Sequence, residues 1–344
     1  MGKYQFITAF KGKEKNNSAY KLRYDNRAIL EKLGYKDCTY YFDKKKNKLA
    51  DAFGYYLSFI KLLLKFRGDI VVMQYPLADN FFFNFILRSG KLRGVTFICI
   101  IIDIESVRSS ANNKLEIKKE IDRLNSFSIL IAHNMVMKNW LLENGCKRPV
   151  FIIDVFDYLS DKIDPVNVLH KEHSVTTIAF AGNLHKSRFI NGLNPGVSCR
   201  FLLYGFLKNK FESGNKNVQW MGEFKADEII NIIDADWGLI WDGNETEYLD
   251  DKLGKYLRFN TPHKTSLYIV CGLPLIVPVS SAIAAYIKSQ RLGICIDKLS
   301  DCNDLKITKE LYNEYRDNVL KIRTRMLQGL FLYDVLQKAT KNNY

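Results

Sequence analysis

VTFICIII, residues 95–102, shows no alternation of apolar and polar residues and is rich in β-branched side chains. A strand with one wetted face alternates; a run like this belongs to a strand covered on both faces, as in a parallel sheet. Upstream lie the strands YQFITAF (4–10), CTYYF (38–42) and DIVVMQYP (69–76). Between them fall helices over SAYKLRYDNRAILEKLGY (18–35), Leu49–Phe66 and FFFNFILRSGKLRG (81–94), the first with Asn17 or Ser18 as N-cap and Gly34 as stop. Downstream, a helix over Lys114–Asn125, the strand FSILIAH (127–133) and a helix over MVMKNWLLENG (135–145) continue the alternation. Such a succession predicts a parallel sheet covered by helices.

A break follows. FIIDVFDYLSDKIDPVNVLHKEHS (151–174) opens with one short apolar strand and then loses periodicity, which places a linker over 157–174. The alternation restarts with the strands TTIAFAG (176–182), CRFLLYG (199–205), NVQWMG (217–222), WGLIW (237–241) and LPLIVP (273–278). DEIINII (227–233) and PHKTSLYIVCG (262–272) read as helices; SAIAAYIKSQ, GICI and the long segment Thr308–Gln337 complete the domain. The expected architecture is α/β, with two Rossmann-like domains over 1–156 and 175–325. A carboxyl-terminal helix, 326–344, is expected to cross back to the first domain. Ligands in such folds bind at the carboxyl ends of strands, here in an interdomain cleft.

A chain of 344 residues, 47% apolar and 13% aromatic, has enough core for two domains and is not a disordered polymer. Its seven cysteines are scattered without a CxxC pair, so neither a disulfide framework nor a zinc site is expected. Five histidines form no HExxH pair. MGKYQFITAFKGKEK turns to charge too soon for a signal peptide, and Val95–Ile102 is too short to cross a bilayer. These features predict a cytoplasmic protein. The net charge of +14 predicts anionic partners: nucleic acid, phosphorylated small molecules or an anionic membrane surface. FGYYLSFIKLLLKFRGD (53–69) reads either as a sheet-covering helix with snorkelling lysines or as a helix docking peripherally on such a membrane. KDCTYYFDKKKNK (36–48) is a solvated basic cluster.

NTPHKTSLYIVCGLPLIV (260–277) carries an electrostatic oddity. Pro262 suits a first helical position, yet His263 and Lys264 then sit in the first turn, where helix N–H groups are already positive. An anion resolves the conflict, since an ammonium and backbone N–H groups can converge on a phosphate. Alternatively Lys264 bends into solvent or pairs with Asp250 or Asp251.

The run from WGLIWDG through LGKYLRFNTPHKTSLYIVCGLPLIV resembles bacterial β-1,6-galactofuranosyltransferases and Gtf3-like glucosyltransferases. The shared pattern includes Gly238, Leu239, Trp241, Leu253, Gly254, Tyr256 and Leu257, then Asn260, Pro262, His263, Lys264, Ser266, Leu267, Tyr268, Gly272, Pro274, Ile276 and Val277. AGNLHKSRFI (181–190) and IAHNMVMKNWL (131–141) extend it, so the resemblance covers about residues 70 to 297. It implies a GT-B fold and a nucleotide-sugar donor, UDP-linked. Donor binding would fall to Gly182, Asn183, Lys186, Asn260, His263, Lys264 and Ser266, with Arg188 a weaker candidate. Gly182 also follows a strand directly, where a glycine lets backbone approach a ligand.

Inverting transfer needs a base for the acceptor hydroxyl. Asp103, with Glu105 behind it, closes the 95–102 strand and is the candidate; some relatives carry histidine where this chain has Ile102. His133 and Asn134 close the next strand as acceptor-side or cleft candidates, against the alternative that they are structural. DAD (234–236) imitates a metal-binding DxD motif but sits before a strand, so transfer without a metal cofactor is expected.

The expected function is transfer of galactofuranose or glucose from a UDP-sugar to a glycan or lipid-linked glycan acceptor in polysaccharide or glycoconjugate synthesis. Relatives imply self-association into a homo-oligomer. Alternatives are an epimerase-like or purely nucleotide-sugar-binding protein, and a basic nucleic-acid-binding protein, for which no recognition-helix or RNP-like signature is present.

Overall fold

Thr96–Ile101 is the fourth strand of a six-stranded sheet, and five of its six side chains are buried. The computed structural model describes residues 1–10, 18–42, 48–77, 81–109, 113–161, 163, 173–208 and 214–341. Asn17, residues 43–47 of the basic cluster, and residues 162 and 164–172 of the expected linker lie outside the described residues. The chain divides into two units: Ala19–Ile153 with the amino-terminal strands and Leu332 onward, and Asp154–Phe331.

The first unit contains β1 (Lys3–Phe6), β2 (Thr8–Phe10), α1 (Ser18–Lys32), β3 (Lys36–Asp37), β4 (Tyr40–Phe42), α2 (Lys48–Lys65) and β5 (Ile70–Tyr75). It continues with α3 (Phe81–Leu92), β6 (Thr96–Ile101), α4 (Glu105–Ser109), α5 (Lys114–Leu124), β7 (Ile129–Ala132), α6 (Met135–Glu143) and β8 (Val150–Ile152). The main sheet has the order β3-β1-β5-β6-β7-β8, with every neighbouring pair parallel. YQFITAF divides into β1 and β2, whereas CTYYF supplies only β4, with the short β3 just before it. β2 and β4 leave the main sheet and pair with each other. Asp37 causes the second break: its carboxylate accepts from the Thr39 N–H at 2.9 Å, a local turn that competes with the ladder.

The second unit contains β9 (Thr176–Ala181), β10 (Cys199–Tyr204), β11 (Val218–Gly222), β12 (Trp237–Leu239), α7 (Lys252–Leu257), α8 (Lys264–Val270), β13 (Leu275–Pro278), α9 (Ala284–Ser289), β14 (Gly293–Ile296), α10 (Lys309–Leu327) and the start of α11 (Leu330–Lys341). Its sheet, β11-β10-β9-β12-β13-β14, is also parallel throughout. Several expectations need correction. DEIINII supplies only a 3₁₀ turn, Ile229–Asn231, which has no side-chain cap and buries Ile229 and Ile230. Helix α8 begins at Lys264, two residues later than Pro262. LGKYL forms α7, capped by Asp251, whose carboxylate accepts from the N–H groups of Leu253 and Gly254. The long segment 308–337 breaks into two helices at Gly329, whose φ of 76° lies in the left-handed region.

Candidate active site

Strand order in the second unit reverses direction between β9 and β12. The chain steps outward from β9 to β11 on one side and from β12 to β14 on the other. Loops leaving two strands at such a switch diverge, opening a crevice at their carboxyl ends. The Lys264 side chain lies there. Its Nζ donates to the Trp241 carbonyl at 2.8 Å, contacts Asp242 Oδ2 at 3.3 Å and sits 4.6 Å from the centre of the Phe180 ring. Phe180 belongs to β9, and Trp241 and Asp242 follow β12, so one ammonium touches both sides of the switch. Its carboxylate partner is Asp242, not Asp250 or Asp251: Asp250 pairs with Arg258, and Asp251 caps α7.

Packing beneath the ammonium is tight. The Tyr268 hydroxyl accepts from the Ala181 N–H at 2.7 Å, tying α8 to the end of β9. Gly238 is required because a Cβ there would overlap the Tyr268 ring. The loops after β9 and β12 are joined by the Phe189 N–H donating to the Gly243 carbonyl at 3.3 Å.

Gly182, Asn183 and Lys186 occupy the exposed turn after β9. Asn183 Oδ1 accepts from the Lys186 N–H at 3.2 Å, so this turn is shaped by its own bonds. His263 stacks on Tyr158 with ring centres 5.0 Å apart and planes at 14°. Ser266 is buried and donates to the Phe156 carbonyl at 2.6 Å, anchoring α8 from within. Asn260 Oδ1 and Thr265 Oγ1, on either side of Lys264 in sequence, are buried with no hydrogen-bond partner among the described residues. Orphaned buried oxygens are costly, and a ligand's hydroxyl or N–H groups would satisfy them. Phe180, Asp242 and Thr265 escape a sequence reading. Asp242 alone left a signal, as the carboxylate directly after a strand.

In the first unit Asp103 and Glu105 follow β6. The Asp103 carboxylate pairs with the Arg108 guanidinium. Arg23 lies near enough for Asp103 to offset part of the burial that lowers its pKa, and it donates to the Gln74 and Pro76 carbonyls at 3.0 Å each. Glu105 is exposed and opens α4. A residue unremarked in the sequence, Glu120, organises this turn. Its buried carboxylate accepts from the N–H groups of Glu105 and Ser106 at 2.9 and 2.8 Å and from the Tyr75 hydroxyl at 2.7 Å. His133 is buried, with Nε2 3.0 Å from the Ile101 carbonyl, and burial pushes its pKa down to about 4 despite that bond. Asn134 caps α6, accepting from the Met137 N–H at 3.0 Å. His133 thus braces the end of β6, and Asn134 the start of α6.

The acids of DAD precede β12 and lie at the amino-terminal end of that strand, whereas Lys264 sits at its carboxyl end. Asp236, just before β12, accepts from the Thr177 N–H at 2.7 Å and hydroxyl at 2.8 Å, and His173 contacts both Asp236 and Asp234.

A glucosyltransferase 3-like amino-terminal domain model matches residues 4–155, and the corresponding carboxyl-terminal domain model matches residues 178–339. The chain belongs to the glucosyltransferase 3-like family. This glycosyltransferase is 30% identical over 280 residues to the β-1,6-galactofuranosyltransferase WbbI of Escherichia coli K12, covering 79% of each chain. It is 24% identical over 338 residues to glucosyltransferase 3 of Streptococcus gordonii, covering 97% of each. Among solved structures, the sucrose-phosphate synthase of Thermosynechococcus elongatus superposes with a TM-score of 0.63 at 10% identity over the whole of both chains, a likeness of the GT-B fold alone.

Proposed function

We propose that this glycosyltransferase takes galactofuranose or glucose from a UDP-sugar and places it on a glycan acceptor in polysaccharide or glycoconjugate synthesis. The two sugars are those named for its relatives. The observation that carries the reading is the Lys264 ammonium at the β9/β12 switch, held against the Trp241 carbonyl and Asp242 and over the Phe180 ring. Lys264 binds the donor diphosphate and stabilises the charge that builds on it as the anomeric C–O bond breaks. Gly182, Asn183, Lys186 and His263 border the donor, Asn260 accepts from it, and Ser266 positions α8. In an inverting transfer Asp103 takes the proton of the acceptor hydroxyl as its oxygen bonds the anomeric carbon, and UDP departs. Glu105 is the second candidate for that proton, and His133 and Asn134 shape the acceptor side. The positive charge supplied by Lys264 lets the step run without a metal. Self-association and peripheral membrane contact belong to the same reading.

The test is a panel of UDP-sugars scored by thermal shift and turnover. One donor should raise the melting temperature of the wild type, because a ligand that binds only the folded state stabilises it. Lys264→Ala should lose that shift and about 10²–10³-fold in turnover, while Asp103→Asn should keep the shift and lose turnover. A panel without any shift, or Lys264→Ala with wild-type turnover, would sink the donor assignment.

A further inference from the structure

Helix α2 presents an apolar stripe outward. Leu49, Phe53, Leu57, Ile60 and Leu64 keep from 42% to 80% of their surface exposed. At about 100° per residue the five fall within roughly 80° of arc, one continuous band along a helix about 27 Å long. Tyr55, on the opposite side, is buried, so the helix already has an inner face and the stripe is a second one. Scattered exposed leucines need no explanation, but an aligned band of five marks a binding surface.

The charges around the band select the occupant. Helix α2 contains three lysines, Lys48, Lys61 and Lys65, against a single acid, Asp51. At its carboxyl end Lys61 and Arg67 are exposed. Arg93 reaches in from the end of α3 and donates to the Leu64 carbonyl at 2.6 Å, beside the exposed Leu92. Apolar side chains edged by cations match a bilayer that carries anionic headgroups, with acyl chains taking the leucines and phosphates the cations. A second copy of this chain would bring the same cations against themselves, on a molecule already at +14. No described helix is long and apolar enough to cross a membrane, so the helix would lie along the surface.

We propose that the outer face of α2 docks the protein on an anionic lipid bilayer. Docking rests on the peripheral contact of the proposed function and gives it a surface, but it needs no donor sugar, so a failed vesicle test leaves the donor assignment standing. The full chain is sedimented with vesicles of phosphatidylcholine alone or with phosphatidylglycerol at one third. Binding at least tenfold stronger to the anionic vesicles is expected. Phe53→Ser with Leu64→Ser should abolish it, and Lys61→Glu with Arg67→Glu should remove the preference for anionic lipid. All four positions are exposed, and circular dichroism with thermal melting confirms that the variants fold. Absence of binding to either vesicle overturns the proposal, as does binding that survives the Phe53/Leu64 pair. So does a wild-type dimer that ignores vesicles and becomes a monomer in that pair, since a second copy would then cover the face.

Discussion

Lys264 is tolerated in the first turn of α8 because its charge is delivered elsewhere, to the Trp241 carbonyl and the Asp242 carboxylate. The carbonyl contact keeps the ammonium in place when an anion competes with Asp242 for it. Asp242 therefore opposes anion binding, and Asp242→Asn should tighten UDP binding. A partly exposed ion pair is worth up to about 1 kcal/mol, which sets the gain at a few-fold. Isothermal titration with UDP reads it, and weaker binding would show that Asp242 assists the ligand. The sequence made Lys264 conspicuous but not its partner. Asp250 and Asp251 are nearer along the segment that leads into α8, yet α7 claims one and Arg258 the other. Choosing Asp242 requires knowing that β9 and β12 are neighbours, which is a tertiary fact. Phe180 is hidden for the same reason.

Among the elements, the buried strands β5, β6 and β9 were the most legible, because unbroken β-branched runs bounded by glycine or proline have few other uses. Short pieces were read worst: DEIINII and LGKYL are so brief that one cap or one buried contact decides their form. The ends of strands were legible as places, but the bonds that shape them were not. Glu120, far from Glu105 in sequence, is the example. His133 shows what such bracing costs in acid. An exposed imidazole titrates near 6.5, whereas burial holds this one neutral down to about pH 4. Between those values the unfolded chain binds a proton that the folded chain refuses. The stabilisation is complete above pH 6.5 and is lost as pH falls through 4, an amount of about 3 kcal/mol. Urea midpoints at pH 7 and pH 4.5 should separate by less in His133→Gln than in the wild type. Equal separations would mean that other groups carry the acid sensitivity.

Across the whole molecule the sequence disclosed two parallel sheets and a basic surface, and the family followed from one dense motif in the second half. The amino-terminal unit also takes in the carboxyl-terminal end of the chain. Leu332, Val335, Leu336 and Ala339 of α11 are buried, and residues from Leu332 onward belong with the first unit. The crossing is anchored where the Phe331 N–H donates to the buried Asp157 carboxylate at 3.1 Å. During synthesis the ribosome releases the first unit's strands long before the residues that complete its core. The unit whose strands are made first thus waits for the residues from Leu332 onward before it is whole.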